Sequence, residues 1–336
     1  MTEAIRPSPI TATVDFSADG IQHGHLRLPW SRDDSAWGSI PIPVTVVKRG
    51  EGPTALLTGA NHGDEYEGPI ALFDLARNLR AEEVTGRIII VPAMNYPAFK
   101  AGTRTSPIDK GNLNRSFPGR PDGTVTQKIA DYFTRTLLPM ADLVLDFHSG
   151  GRTLDFLPYA AAHELSDKAQ EERCFAAVTA FAAPWSMRMI EIDAVGMYDT
   201  TAEELGKVFV TTELGGGGTA TARSAGIAKR GVANVLRHAG ILAGQLQPAP
   251  TRWLDMPSAD CFGFSAEEGL AEFLKNLGDP VAKGEVIARI HPIGRTGQVP
   301  FEHRAALDGL LAARHLPGLV QAGDCLAVVA TEEDGR

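Results

Sequence analysis

Between residues 54 and 242 the sequence alternates buried-strand and amphipathic-helix patterns, and this alternation constrains the fold more than any other feature. Thr54–Gly59 (TALLTG) is a short apolar run that ends in polar loop residues. Residues 67–80 follow with Ile70, Leu72, Phe73, Leu75, Ala76 and Leu79 at helical spacing. Residues 87–91 (RIIIV) are β-branched and are stopped by Pro92. The pattern then predicts a helix over 123–138 ending before Pro139, a strand over 142–147 and a helix over 165–183. A strand over 207–212 and a helix over 223–242 close the series. This order implies an α/β fold, a mostly parallel mixed sheet with helices on both faces. Such sheets carry their chemistry in loops at the carboxyl ends of strands, here just after residues 59, 91, 147 and 212.

Around this unit, residues 1–50 read as edge strands and turns, an N-terminal β extension. A Gln/Pro linker at 244–251 (GQLQPAPT) separates a catalytic unit, 1–245, from a small β domain, 252–336. Two related segments in the latter, GDPVAKGEVIARI and PGLVQAGDCLAVVA, carry its strand and turn signals. With 43% hydrophobic residues in 336, the chain can bury a deep core. Its formal charge of −9 argues against a nucleic-acid or anionic-membrane partner, each of which needs a basic footprint. Cys174, Cys261 and Cys325 are far apart and contain no C-x-x-C, so they predict reduced thiols rather than a disulfide framework or zinc knuckle. No apolar run approaches the ~18 residues of a membrane span, and the N-terminus lacks an apolar export region. A cytoplasmic protein is expected, with a homo-oligomer left open.

Three clusters carry chemistry. The first is Asn61-His62-Gly63-Asp64-Glu65 after the first strand, with His148 after the third. Two imidazoles and a carboxylate satisfy a hydrolytic zinc site that keeps one position open. H-x-x-E alone is a weak signal, and ordinary polar loop residues are the alternative; the position of both loops at the sheet's active edge favours ligands. The second cluster is Arg104 with Asn112-Leu113-Asn114-Arg115. Arg115 presents a planar fork for a carboxylate, Asn114 an amide beside it, and Arg104 a cation for a developing oxyanion. A solvated surface Arg104 is the alternative. The third is Glu213, at a strand end before Gly215–Gly218, placed to move protons between water and a leaving amine. A phosphate loop does not fit, because no Lys-Ser/Thr follows and Glu213 would repel phosphate.

NHGDE, then R…NLNRSFPG, LDFHSGG and TTELGG in that order resemble the succinylglutamate desuccinylase/aspartoacylase family, a branch of the zinc carboxypeptidase-like enzymes. The resemblance spans roughly residues 50–245. It implies zinc ligands His62, Glu65 and His148, one Zn2+ per chain, and Glu213 as general base. It further implies Arg104, Asn114 and Arg115 as substrate and oxyanion contacts. Family members often write Asp-Leu-Asn-Arg where this chain has Asn112, and the stretch from Arg104 to Asn114 is longer than in aspartoacylases. The N-terminal half, IQHGHLRLPWSRDDSAWGSIPIPVTVVKRGEGP onward, narrows the resemblance to members that deacetylate Nα-acetyl-L-2,4-diaminobutyrate in bacterial ectoine breakdown. A small N-acyl amino acid is then the substrate and acetate the acyl product.

The C-terminal segment is similar to biotinyl/lipoyl-type β domains, but residues 306–314 (ALDGLLAAR) offer no carrier lysine, so a structural cover or interface is expected. The remaining histidines have no ligand spacing and read as surface or packing residues. A diaminobutyrate substrate requires an acidic contact for its ammonium; Glu191, Asp193 and Asp199 lie among Ile190, Ile192, Val195 and Met197, with Arg188 the only nearby cation. Glu191 and Asp193 are therefore candidate substrate contacts, a solvated acidic face being the alternative. The competing functions are deacylation of N-acetylaspartate or N-succinylglutamate, a metallocarboxypeptidase, and a zinc-dependent small-molecule binding protein.

Overall fold

Strands that are apolar on both faces must be covered on both, and four such strands build the centre of the sheet. The structure, a computed structural model, describes residues 6–190 and 194–333. A long hairpin of β1 (Gly20–Pro29) and β2 (Ser39–Arg49) leads to β3 (Thr54–Gly59), α1 (Glu67–Asn78) and β4 (Gly86–Val91). Next come α2 (Tyr96–Ala101), α3 (Val125–Tyr132), β5 (Leu143–His148), β6 (Leu154–Phe156), β7 (Tyr159–His163), α4 (Lys168–Phe181) and β8 (Trp185–Met189). Then follow α5 (Tyr198–Glu204), β9 (Val208–Glu213) and α6 (Ala222–His238).

The sheet runs β1-β2-β4-β3-β5-β9-β7-β8. Its centre, β4-β3-β5-β9, is parallel. The hairpin joins β4 antiparallel, and β7 joins β9 antiparallel. The chain leaves β3 for β4 on one side, whereas β5 lies on the other side of β3 and continues toward β9. The crevice beyond the carboxyl ends of β3 and β5 is therefore the switch point, where such sheets bind ligands.

Alternation along the strands divides the core. Leu57, Leu145, Phe147 and Val210 pack with α1, α4 and α6 on one face. Leu56, Val144 and Phe209 pack with α3 and the β1–β2 hairpin on the other. Asp146 and His148 share the face of Val144 by the two-residue period.

Beyond the centre, the sheet passes through β10 (Arg252–Asp255). A four-stranded antiparallel sheet carries β11 (Gly269–Phe273), β12 (Val286–His291) and β13 (Phe301–Arg304). The large sheet ends in β14 (Gly309–His315) and β15 (Cys325–Glu332). The strand β14 also pairs with β6, tying the C-terminal segment to the loop after His148.

The helix expected over 123–138 is a correction. It ends at Tyr132, passes through one wide π turn at Phe133–Leu137 and resumes through Leu138–Met140. Pro139 sits in the first turn of the resumed helix, where its missing N–H is not needed. The strands β7 and β8 were not legible; Tyr159–His163 is YAAAH, and alanine is a weak strand signal.

Gly63 shows how tightly the loop after β3 is fitted. A Cβ there would lie 2.0 Å from the Ala98 carbonyl carbon and 2.2 Å from its oxygen, in α2. Gly63→Ala should therefore displace His62 and Glu65 together. Chemical denaturation should register a loss of about 1–3 kcal/mol, and metal uptake by equilibrium dialysis should fall with it.

Candidate active site

The sheet brings the three expected ligands together. His62 and Glu65 lie in the loop after β3 and His148 ends β5, all buried, with their ligand atoms within 4.8 Å of one another. Glu65 spans the two rings. Its Oε1 is 2.7 Å from His62 Nδ1 and its Oε2 is 2.9 Å from His148 Nδ1. The outer nitrogens are held as well. His148 Nε2 lies 2.8 Å from Asp146 Oδ2, and His62 Nε2 lies 3.2 Å from Asn112 Oδ1. Asp146 is fixed in turn by Thr58 Oγ1, which donates at 2.6 Å, and Asn61 Nδ2, which donates at 3.2 Å.

This arrangement fits a metal cation. Asp146 Oδ2 and Asn112 Oδ1 only accept, so each outer Nε2 donates and each neutral ring presents a lone pair at Nδ1. Those lone pairs face carboxylate oxygens at under 3 Å, a contact that a proton or a cation must bridge. Burial, with Arg104 adding to it against Glu65, lowers the pKa of His62 and disfavours the proton there. His148 rises well above its ordinary value: burial opposes this, but Asp146 and Glu65 outweigh it. Against its own burial, both imidazoles hold Glu65 below the usual carboxylate range.

Glu213 occupies the register position of His148 on the adjacent parallel strand, so its side chain faces the same crevice. Burial, reinforced by Glu65, pushes its carboxyl up to about 8, and its Oε2 is buried without a hydrogen-bond partner among the described residues. A cavity of about 180 Å³ opens here, lined by His62, Glu65, His148, Glu213, Arg104 and Arg115 among others. Arg104 Nη1 is 3.6 Å from Glu65 Oε1 with its side chain 44% exposed. Arg115 donates from Nη1 to the Asn114 carbonyl at 2.7 Å, and Asn114 Oδ1 accepts the Tyr198 N–H at 3.1 Å. Gly196 makes the close approach to this segment possible, since a Cβ there would lie 2.6 Å from the Arg115 carbonyl oxygen.

Every expected residue among those described therefore lines one cavity. Glu191 and Asp193 lie outside the described residues. Arg188 is not a pocket cation: it pairs with Glu333 at 2.6 Å and lies over the Phe175 ring. Sequence reasoning missed Asp146 and the orienting role of Asn112. The signal for Asp146 was D-x-H at the end of a strand, where a two-residue spacing puts both side chains on one face.

The model of the succinylglutamate desuccinylase/aspartoacylase catalytic domain matches residues 51–239. The N-alpha-acetyl-L-2,4-diaminobutyric acid deacetylase of Halomonas elongata is 60% identical over 327 residues, 97% of this chain and 96% of that protein. Among solved structures, the product-bound ectoine utilization protein EutE (DoeB) from Ruegeria pomeroyi superposes with a TM-score of 0.96 at 65% identity, covering 97% of this chain and 99% of that one. A succinylglutamate desuccinylase from Silicibacter sp. TM1040 superposes with a TM-score of 0.95 at 61% identity, covering 98% and 100%.

The geometry predicts one divalent ion per chain. His62→Ala and His148→Ala should each abolish binding, measured by elemental analysis after dialysis, because two protein ligands leave an incomplete site. Asp146→Asn should retain the ligand set yet weaken metal affinity about 10–100-fold, the usual cost of a lost orienting partner. Full occupancy in His148→Ala would refute the ligand assignment.

Proposed function

Because the chain belongs to the succinylglutamate desuccinylase/aspartoacylase family, we propose that it deacetylates Nα-acetyl-L-2,4-diaminobutyrate, yielding diaminobutyrate and acetate, as a cytoplasmic step of ectoine breakdown. The chain is an enzyme, a hydrolase acting on a linear amide. The observation that carries the reading is the meeting of a His-Glu-His ligand set, a buried carboxylate and two arginines in one small cavity. Three cysteines without disulfide partners suit a reducing compartment, and no helix among the described residues is long and apolar enough to cross a membrane.

Zinc is the metal we assign to His62, Glu65 and His148, where it supplies a Lewis acid that acidifies water and polarises the acyl carbonyl. Glu213 takes a proton from the attacking water and returns it to the departing amine nitrogen, so that water and amide become acetate and amine. Arg115 clamps the substrate carboxylate through donors not committed to Asn114, whose side chain is itself fixed by Tyr198. Arg104, its side chain 44% exposed, meets the oxyanion beside Glu65. We assign 1–245 to catalysis and 252–336 to a cover that braces the cavity wall.

A metallocarboxypeptidase shares this chemistry, but a cavity of about 180 Å³ suits a small N-acyl amino acid better than a peptide. N-acetylaspartate and N-succinylglutamate place a further anion in a cavity whose two arginines are already engaged.

The reading is tested by kcat/KM on zinc-loaded enzyme for Nα-acetyl-L-2,4-diaminobutyrate, N-acetylaspartate and N-succinylglutamate, the first being expected to dominate. Preference for N-acetylaspartate would end the diaminobutyrate assignment. Glu213→Gln should keep the metal and lose roughly 10² or more in kcat; near wild-type turnover would require another base. Arg115→Ala should chiefly raise KM and Arg104→Ala chiefly lower kcat, and the reverse pattern would exchange their roles.

A further inference from the structure

Among the described residues, the cavity is lined by one carboxylate that the proposed reaction does not use. Asp199, near the start of α5, is 8% exposed and lines the cavity with Met189 and Met197. Its Oδ1 accepts the Thr200 N–H at 2.6 Å. Among the described residues no Lys or Arg pairs with it; Arg188, the cation that precedes it in the sequence, is held by Glu333. Burial raises its pKa, the fields of His163 and His148 opposing. His163 is itself bound to Glu203 at 3.0 Å, and His148 to Asp146 and Glu65. A buried carboxylate without a cation is left incomplete, and a ligand that brings one gains what the fold does not provide.

The fixed cations of the cavity are Arg104 and Arg115. In the proposed reaction one meets the oxyanion and the other the α-carboxylate, so an anionic side chain finds no counter-charge. A short side chain ending in an ammonium finds methylene contacts at Met189 and Met197 and a charge at Asp199.

We infer that Asp199 is the specificity-determining residue of this site, receiving the side-chain ammonium of an Nα-acyl amino acid with a short alkylammonium side chain. The inference rests on the deacylase reading and assigns its charge selectivity to one residue.

The test compares kcat/KM on zinc-loaded enzyme for Nα-acetyl-L-2,4-diaminobutyrate and for its neutral isostere Nα-acetyl-L-norvaline. Wild type should favour the charged substrate, and Asp199→Asn should lower the ratio of the two values roughly 10- to 100-fold, the loss of one charged hydrogen bond. A merely structural defect would depress both substrates and leave the ratio standing. Asp199→Glu keeps the charge one methylene further into the cavity and should shift preference toward Nα-acetyl-L-2,3-diaminopropionate; this variant decides the matter if Asp199→Asn does not fold. A wild type indifferent to the charge overturns the diaminobutyrate reading and the role of Asp199 together. A wild-type preference that survives in Asp199→Asn overturns the Asp199 assignment alone.

Discussion

A buried carboxylate facing two imidazole lone pairs is unstable by itself, and most of the site follows from how Glu65 meets that constraint. Its oxygens stand 2.7 and 2.9 Å from the two Nδ1 atoms, while each ring is tied at Nε2 to an oxygen that can only accept. Turning a ring over would offer no relief, because both of its nitrogens would still face oxygens. The conflict is resolved by positive charge held between the groups. Protons serve poorly at His62, whose charged form burial disfavours. A metal cation would satisfy all three groups at once.

The sheet supplies the precision that this demands. His148 and Asp146 are two residues apart on β5, so the same pleat aims ligand and orienting carboxylate into one crevice. Thr58 on β3 pairs in register with Asp146, and its hydroxyl donates to that carboxylate. Glu213 stands across from His148 on β9. Phe147, between the two polar residues, points to the opposite face and packs with Phe181. A one-residue slip of β5 would exchange Asp146 and His148 for apolar neighbours, so the apolar pattern of the strand protects the site as well as the core.

That dependence explains what was legible. His62, Glu65, His148 and Glu213 stand at strand ends, where apolar runs break into polar residues, and their types advertise their chemistry. Asp146 lies inside the run LVLDFH and reads as an interruption of a strand until the register places it behind a ligand. Asn112 stood out only as a departure from the family's usual Asp; its amide oxygen still accepts from His62, doing the orienting job without adding another buried charge. The helix break near Pro139 escaped because a proline read as a stop became a start. The strands β7 and β8 depend on tertiary pairing with β9 and β10 more than on their own propensities. Asp199 carried no motif at all, and only the cavity distinguishes it from other acids in its stretch.

The C-terminal segment is joined to the cavity wall by backbone pairing. The loop after His148 returns through Leu154 and Phe156, whose strand pairs with β14 at Ala313, Arg314 and His315. The Leu154 N–H donates to the Gly150 carbonyl at 2.9 Å, and the Gly150 N–H donates to the Gly215 carbonyl at 2.9 Å, joining the loops that follow His148 and Glu213. Leu157 and Leu316 add backbone bonds across the same junction, to Ala312 and Thr153. Leu154 and Phe156 are thus fixed from behind by a strand that contributes no reacting group, and they form part of the cavity wall. A wall held by backbone hydrogen bonds on both sides yields little to a larger ligand. The cavity boundary is therefore set jointly by the loops after β5 and β9 and by the C-terminal sheet, which suits the short acyl chain and small amino acid of the proposed substrate.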